Sequence, residues 1–104
     1  MATIDLKDAG KKFEQLCVAC HGVNGQGNGP LAENLDPKPS NLKDSNRLDQ
    51  LSLYALYNVI ALGIDGTGMV SFSSQLSQDD IWNLASYVTT LSLTKDAPFK
   101  EKKI

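Results

Sequence analysis

The sequence has few of the residues that bind metals and no excess of the residues that attract nucleic acids. Its 104 residues include two cysteines, one histidine and two methionines. A structural zinc site needs four ligands, usually cysteine and histidine, so this set excludes one. Lys and Arg total 10 against 12 Asp and Glu, a net charge of −2. Nucleic-acid-binding proteins normally show a basic surface, so we expect no nucleic-acid partner.

Long hydrophobic runs and a targeting segment are also lacking. No apolar stretch approaches the roughly 20 residues of a membrane span, so we expect no transmembrane segment in this chain. The first residues lack the basic and then apolar regions of a secretory signal. The length fits one domain, predicted over residues 1–94, followed by a Lys-rich tail or linker over residues 95–104. We expect this domain to be a monomer.

Three segments have the apolar spacing of α-helices, at residues 5–20, 52–62 and 78–93. The second is apolar nearly all round, which predicts deep burial. The third follows Ser77, and Asp80 completes a spacing that resembles a capping box. The sequence therefore predicts an all-α fold with three main helices.

Two long glycine-containing loops separate these helices, at residues 22–51 and 63–76. Loops of this length in a small domain are usually functional or wrap around something. A chain of this size buries only roughly two-thirds of its unfolded surface. Three short helices and two long loops leave a thin protein core, so we expect a large apolar cofactor to complete it.

The first helix ends in Cys17-Val18-Ala19-Cys20-His21, a C-x-x-C-H sequence that is typical of c-type haem attachment. Two cysteines three residues apart on a helix lie about one turn apart on the same face. Their sulfurs can form thioethers with the two vinyl groups on one haem edge, and the following imidazole can then coordinate the iron. The sequence therefore predicts one covalent haem c, bound through Cys17 and Cys20, with His21 as the proximal ligand.

Other uses of these cysteines fit the sequence less well. A thioredoxin-like active site needs a βαβ context, and no convincing strand precedes Cys17. A structural disulfide between Cys17 and Cys20 would constrain almost nothing at this spacing. It would also leave the adjacent His21 unexplained.

The second axial position of the iron has few candidate ligands. The chain holds no second histidine, and its methionines are Met1, at the start, and Met69. An isolated methionine usually fills a gap in a core, but Met69 lies in a glycine-rich loop that can approach a flat ligand closely. This setting favours Met69 as the distal ligand. Arg47, the only arginine, either pairs with a haem propionate or is an ordinary surface charge.

The sequence resembles the class I cytochromes c over nearly its whole length. Residues 10–13 (G-K-K-F), before the C-x-x-C-H motif, match the first helix of that family, and residues 82–88 (W-N-L-A-S-Y-V) match its last helix. In the family these helices cross near the position of Gly10, where the missing side chain permits close approach, and near those of Phe13 and Tyr87. The resemblance implies a small cytochrome c fold, with long loops wrapped around one covalent haem.

Two loops carry the rest of the resemblance. Residues 29–31 (G-P-L) match the stretch in which the family's proline carbonyl accepts a hydrogen bond from the proximal histidine, which implies that role for Pro30. Gly68 and Met69, followed by Phe72, match the distal loop, although Val70 stands where the family more often has proline. Residues 52–69 and 20–37 are also similar to cytochrome c domains fused to bacterial high-affinity iron permeases.

The resemblance implies an electron carrier and not an enzyme. Two strong axial ligands, His21 and Met69, would leave no open position on the iron, which would cycle between Fe(III) and Fe(II). The alternatives are the haem domain of a larger membrane complex, such as an oxidase or permease, and a haem sensor or peroxidase with Met69 off the iron. We expect transient redox partners. Since bacteria attach haem to this motif in the periplasm, we also expect a periplasmic protein, present here in mature or excised form.

Overall fold

Five helices and one 3₁₀ turn follow one another in residues 4–93, the part of the chain that this computed structural model describes. The elements are α1 (Leu6–Leu16), α2 (Val18–His21), the 3₁₀ turn (Ala32–Asn34), α3 (Ser45–Leu48), α4 (Leu53–Leu62) and α5 (Gln78–Leu91). No strand occurs among these residues, so the all-α prediction is confirmed. Within them, no helix is long and apolar enough to cross a membrane. The predicted tail at residues 95–104 lies outside the described residues.

The first helix is shorter than the apolar spacing predicts. Asp5 caps α1 by accepting a hydrogen bond from the Asp8 N–H, with a distance of 2.9 Å. At Cys17 the backbone has φ −117° and ψ −29°, away from the helical φ of about −63°. The helix predicted over residues 5–20 is therefore two helices, because the apolar spacing continues through Cys17 while the backbone turns there.

The other two predicted helices form close to the expected residues. Ser52 caps α4 through the Ala55 N–H at 3.0 Å, and the helix ends before Gly63, whose φ of 72° favours glycine. Ser77 and Asp80 make both hydrogen bonds of a capping box at the start of α5, at 3.1 and 3.2 Å. The differences in this pair are small: α4 begins one residue after the predicted residue 52, and α5 ends two residues before the predicted residue 93.

The core forms where α5 packs against both α1 and α4. Phe13 of α1 is buried, and its ring centroid lies 5.3 Å from that of Tyr87 on α5. A Cβ added to Gly10 would lie 3.2 Å from the Tyr87 ring. The close helix crossing that the resemblance implies is therefore present, and a side chain at Gly10 would crowd the Tyr87 ring.

The fourth helix is less deeply buried than its apolar composition predicts. Leu56, Ile60 and Ala61 are buried in the core. Other large apolar side chains of the same helix are exposed by 42, 65 and 69 %, namely Leu53, Tyr54 and Leu62. Burial all round was the wrong expectation, because α5 is the helix that packs extensively on α4, and one neighbour cannot cover an apolar helix on every side.

Candidate functional site

The C-x-x-C-H motif lies at the turn between α1 and α2. The Cys17 carbonyl accepts hydrogen bonds from the N–H groups of Cys20 (3.3 Å) and His21 (2.9 Å), which coil the motif into one helical turn. Both thiols are free and half-buried. Cys17 also packs against the core, so this end of the motif is anchored in the protein interior.

The Cys17 thiol is held in its protonated form. Burial raises the pKa of Cys17 to about 12, and the neighbouring Cys20 adds to the rise. A disulfide oxidoreductase needs the opposite, a cysteine whose pKa is lowered so that the thiolate can attack. The environment of Cys17 therefore argues against a thioredoxin-like use of the motif.

The His21 ring is held by one backbone group. Its Nδ1 lies 3.0 Å from the carbonyl oxygen of Ser40, and because a carbonyl can only accept, Nδ1 carries the proton. Burial lowers the pKa of His21, while the bond to Ser40 opposes that shift. A neutral ring with a protonated Nδ1 leaves its lone pair on Nε2, the form in which histidine binds metals.

The acceptor for His21 differs from the one that the resemblance implies. Pro30 is exposed, and the carbonyl bonded to Nδ1 is that of Ser40. The loop after α2 explains the difference. Residues 27–31 of this loop form hydrogen bonds with the backbone of the motif. The Gly29 N–H donates to the Cys20 carbonyl (3.0 Å), and the Leu31 N–H donates to the Ala19 carbonyl (2.8 Å). This stretch closes the end of α2, and the chain reaches the His21 ring only on its later return.

The Ser40 contact gave no signal in the sequence, because a backbone carbonyl can belong to any residue. The neighbouring prolines, Pro37 and Pro39, were the available indication that the chain is stiff there. Gly29 was a second indication, since a Cβ at that position would collide with the carbonyl oxygens of Val18 and Ala19. Such a glycine marks a place where the backbone passes close to the motif.

Met69 lies in a closed loop that begins directly after α4. The Ile64 N–H donates to the Met69 carbonyl at 3.0 Å. The Thr67 hydroxyl donates to the Ile64 carbonyl at 2.7 Å and accepts from the Met69 N–H at 3.0 Å. Gly63 permits the closure, because a Cβ there would lie 2.8 Å from the Met69 carbonyl oxygen. These bonds fix the backbone of Met69 without the help of a helix.

The two loops approach each other, and both ends of the candidate site reach the core. A Cβ on Gly68 would lie 3.0 Å from the side chain of Leu35, which follows the 3₁₀ turn. Met69 and Cys17 are both partly buried and both pack against the same hydrophobic cluster. The fold therefore brings the C-x-x-C-H motif and the Met69 loop to one core, although they are far apart in sequence.

Arg47 is not joined to the rest of the site. It lies on α3, the single helical turn that Asp44 caps by accepting from the N–H groups of Asn46 and Arg47. Its side chain is exposed and makes no ion pair within residues 4–93. The pairing of Arg47 with a propionate stays a prediction.

An aromatic group lies where α4 meets α5. The Tyr57 and Trp82 ring centroids are 4.2 Å apart, and the Tyr54 ring stacks on Trp82 at 6.4 Å. Trp82 and Tyr57 are half-buried, whereas Tyr54 is largely exposed. These contacts give the three rings a packing role between the helices.

The donor set fits a haem better than it fits a bare metal ion. Within residues 4–93 there is no group of three or more His, Cys, Asp or Glu side chains that could hold an ion. A haem supplies four equatorial nitrogens itself and needs only axial ligands and covalent anchors from the protein. Two free thiols one turn apart, a neutral imidazole and a thioether packed on the same core meet that need.

The comparisons with known proteins indicate the same cofactor. The sequence model of the family described as "Cytochrome c" matches residues 7–92, more than four-fifths of the chain. The chain belongs to the cytochrome c family. Membership implies covalently bound haem c, and the cysteines at positions 17 and 20 of this cytochrome fit the attachment motif.

Solved structures of similar proteins include c-type cytochromes and a larger assembly. A chain of the Kuenenia stuttgartiensis reducing HAO-like protein complex Kustc0457/Kustc0458 is 32 % identical, with a TM-score of 0.68 over 86 % of this cytochrome. This cytochrome spans 50 % of the length of that chain.

Two further structures share the fold at lower identity. The KustC0563 c-type cytochrome is 23 % identical, with a TM-score of 0.70 over 80 % of this chain and 95 % of its own. The c-type cytochrome XoxG from Methylobacterium extorquens AM1 is 19 % identical, with a TM-score of 0.60 over 95 % of this chain and 59 % of its own. A comparison with curated protein sequences found no match. The similarity to domains fused to iron permeases finds no support in these comparisons.

Proposed function

We propose that this cytochrome transfers single electrons through one haem c, held by thioether bonds from Cys17 and Cys20. His21 and Met69 are the axial ligands in this proposal. When bound, the haem supplies a one-electron Fe(III)/Fe(II) couple. The observation that carries the proposal is the packing of Cys17 and Met69 against one hydrophobic cluster. His21, whose imidazole is neutral, belongs to the same motif as Cys17.

The chain's own residues then have distinct tasks. The half-buried cysteines, Cys17 at the turn before α2 and Cys20 in α2, would anchor the cofactor in one orientation, and the bond from Nδ1 to Ser40 holds the His21 ring in one tautomer. The closed loop at residues 64–69 presents the Met69 thioether, a ligand that favours ferrous iron. With His21 and Met69 both holding the iron, the protein would leave no open position for oxygen or peroxide.

Absorption spectra of the purified holoprotein in both oxidation states test the proposal. We expect a six-coordinate, low-spin haem, with the weak long-wavelength band of iron–thioether bonding in the ferric form. A haem that acid acetone extracts would contradict the covalent attachment. A five-coordinate ferrous spectrum that takes up carbon monoxide at once would favour the sensor or peroxidase alternative.

A second candidate function is electron transfer inside a larger redox assembly. The similarity to half of a chain from a protein complex favours it. In that case the haem chemistry is the same, but the partner is fixed beside the domain. A chain that sediments as a monomer, and that reduces added oxidants at the same rate alone and in extract, would favour the freely diffusing form.

A bacterial periplasmic location goes with either candidate, because haem is attached to this motif there in bacteria. Cell fractionation that finds the haem-loaded protein in the cytoplasm would contradict it. The redox partners are then other periplasmic or membrane-bound electron carriers.

A further inference from the structure

The long loop after α2 comes back to His21 at residues 39–42, which we name the return segment. It contains Ser40, whose carbonyl oxygen lies 3.0 Å from His21 Nδ1. We infer that the return segment is the positioning element of the proximal ligand, in place of the stretch around Pro30. The inference rests on the proposed function, in which His21 Nε2 binds the haem iron.

Two kinds of contact fix the return segment. The Leu42 N–H donates to the Gly25 carbonyl at 2.6 Å, and the Leu42 side chain packs against the core. On the other side, a Cβ on Gly27 would lie 2.7 Å from the Pro39 carbonyl oxygen and 3.3 Å from that of Ser40. The segment is therefore held at its far end by Leu42 and passes closely over a glycine next to the acceptor carbonyl.

A fixed acceptor at Nδ1 has two effects on the ligand. It holds the ring in one orientation, and it makes Nε2 a stronger electron donor. Stronger donation favours Fe(III), so the hydrogen bond lowers the reduction potential. If the return segment is loosened, the potential rises and the Nδ1 proton exchanges with water more easily.

The single histidine of the chain makes the contact directly measurable. Histidine labelled with ¹⁵N reports on His21 alone, and the low-spin ferrous holoprotein is diamagnetic. We expect nuclear Overhauser contacts from the Nδ1 proton to backbone protons of Ser40 and Asn41. Contacts to Pro30 and Leu31 in their place would overturn the inference without any variant having to fold.

Two leucine variants separate positioning from general stability. Leu42 and Leu76 are both half-buried and both pack against the core, but only Leu42 belongs to the return segment. We expect Leu42→Ala to speed exchange of the Nδ1 proton by about tenfold, the upper range for one weakened hydrogen bond, and to raise the potential. Leu76→Ala should lower the unfolding temperature comparably and leave both readouts unchanged. Equal effects of the two variants would show a structural role only and would overturn the inference.

Pro30→Ala completes the set. We expect it to leave the Nδ1 proton exchange and the potential as in the wild type, whereas a change as large as that of Leu42→Ala would return the role to Pro30. Failure of the proposed function looks different, because the wild-type spectrum itself would then lack a histidine-bound, covalent haem. If the wild-type spectrum is as proposed and Leu42→Ala leaves the exchange rate of the Nδ1 proton unchanged, the inference is contradicted and the proposed function is not.

Discussion

At the residue scale, hydrogen bonds to the backbone position the two ligands of the proposed site. The Ser40 carbonyl fixes the tautomer of His21, and the Thr67 hydroxyl, bonded to Ile64 and Met69, fixes the backbone of the loop that carries Met69. Both side chains come from segments that backbone hydrogen bonds hold in place, at the Cys17 carbonyl for His21 and at the Met69 carbonyl for Met69. Replacing either ligand side chain should therefore change the iron chemistry without unfolding the segment that carries it.

Met69→Ala should open the distal position while the haem stays attached. Loss of the thioether removes a ligand that favours Fe(II), so the potential should fall by at least about 59 mV, the equivalent of a tenfold change for one electron. Imidazole or cyanide should then bind at least about tenfold more tightly, a difference of roughly 1.4 kcal/mol. Spectral titration and redox potentiometry measure both quantities.

Val70→Ala is the matched control for that variant. Val70 is the next residue in the chain, is 56 % exposed and offers no ligand atom. It should leave the potential and the ligand affinity unchanged. If Met69→Ala behaved like Val70→Ala, Met69 would not be the distal ligand.

At the element scale, the helices that the sequence predicts well are those with side-chain signals at their ends. Ser52 and Ser77 indicate the starts of α4 and α5, and the side chains of both accept hydrogen bonds from helix N–H groups as expected. The break at Cys17 carries no such signal, because the apolar residues keep their helical spacing across it. The single turn α3 was not predicted either, since four residues are too few for a periodicity.

The same distinction holds for the candidate site. Its side-chain donors were predictable from the sequence, because thiols, imidazole and thioether belong to recognisable residue types. The acceptor at Ser40 was not predictable, because every residue has the same backbone carbonyl. Only the path of the loop brings this one to His21. Candidate side chains can thus be proposed from a sequence by their chemistry, whereas backbone groups that act by their position cannot.

The capping box of α5 can be tested directly for its contribution to helix stability. Ser77→Ala removes the hydroxyl that accepts from the Asp80 N–H, so we expect a loss of about 1 kcal/mol in the free energy of unfolding. The exposed Ser74, a few residues earlier, has no helix to cap, and Ser74→Ala should stay within about 0.5 kcal/mol of the wild type. Thermal unfolding of the holoproteins would measure both, and equal losses would contradict the role of the cap.

At the scale of the whole molecule, the helices alone do not enclose the apolar surface of the chain. Within residues 4–93, ten large apolar side chains are at least 39 % exposed, including Leu53, Leu62 and Val70. Several of them lie on α4 and on the loops next to the Met69 and C-x-x-C-H segments. A cofactor that binds only the folded state adds its binding free energy to stability, so folding and haem attachment should be coupled.

Removing both attachment points tests that coupling. We expect the double variant Cys17→Ala, Cys20→Ala to lose covalent haem and cooperative thermal unfolding, as followed by circular dichroism. Ala19→Ser, at the exposed position between the two cysteines, should keep both. A haem-free double variant that still unfolds cooperatively near the wild-type temperature would show that the protein core is sufficient by itself.

The charge distribution determines how strongly association with redox partners should depend on salt. Residues 22–32, which follow His21, and residues 63–76, which contain Met69, hold a single charged residue between them, Asp65. Charge-steered encounters weaken as salt shortens the Debye length, from roughly 30 Å at 0.01 M to roughly 3 Å at 1 M. Because these segments flank the proposed ligands, we expect partners to approach there, and an encounter through nearly neutral segments should depend on salt only weakly. It should rest on a small, transient contact of less than about 1,200 Å².

Stopped-flow kinetics can measure this salt dependence. The ferrous protein is oxidised by two small reagents of opposite charge, ferricyanide and a cationic complex of trivalent cobalt. We expect both rates to change by less than about threefold between about 0.01 M and 1 M salt. Asp65→Lys should accelerate ferricyanide at low salt, because it places a positive charge inside these segments. Asp49→Lys, an equal change of charge at an exposed position outside them, should have a smaller effect. A wild-type rate that falls tenfold or more with salt, or equal effects of the two variants, would mean that charges elsewhere on the surface govern the encounter.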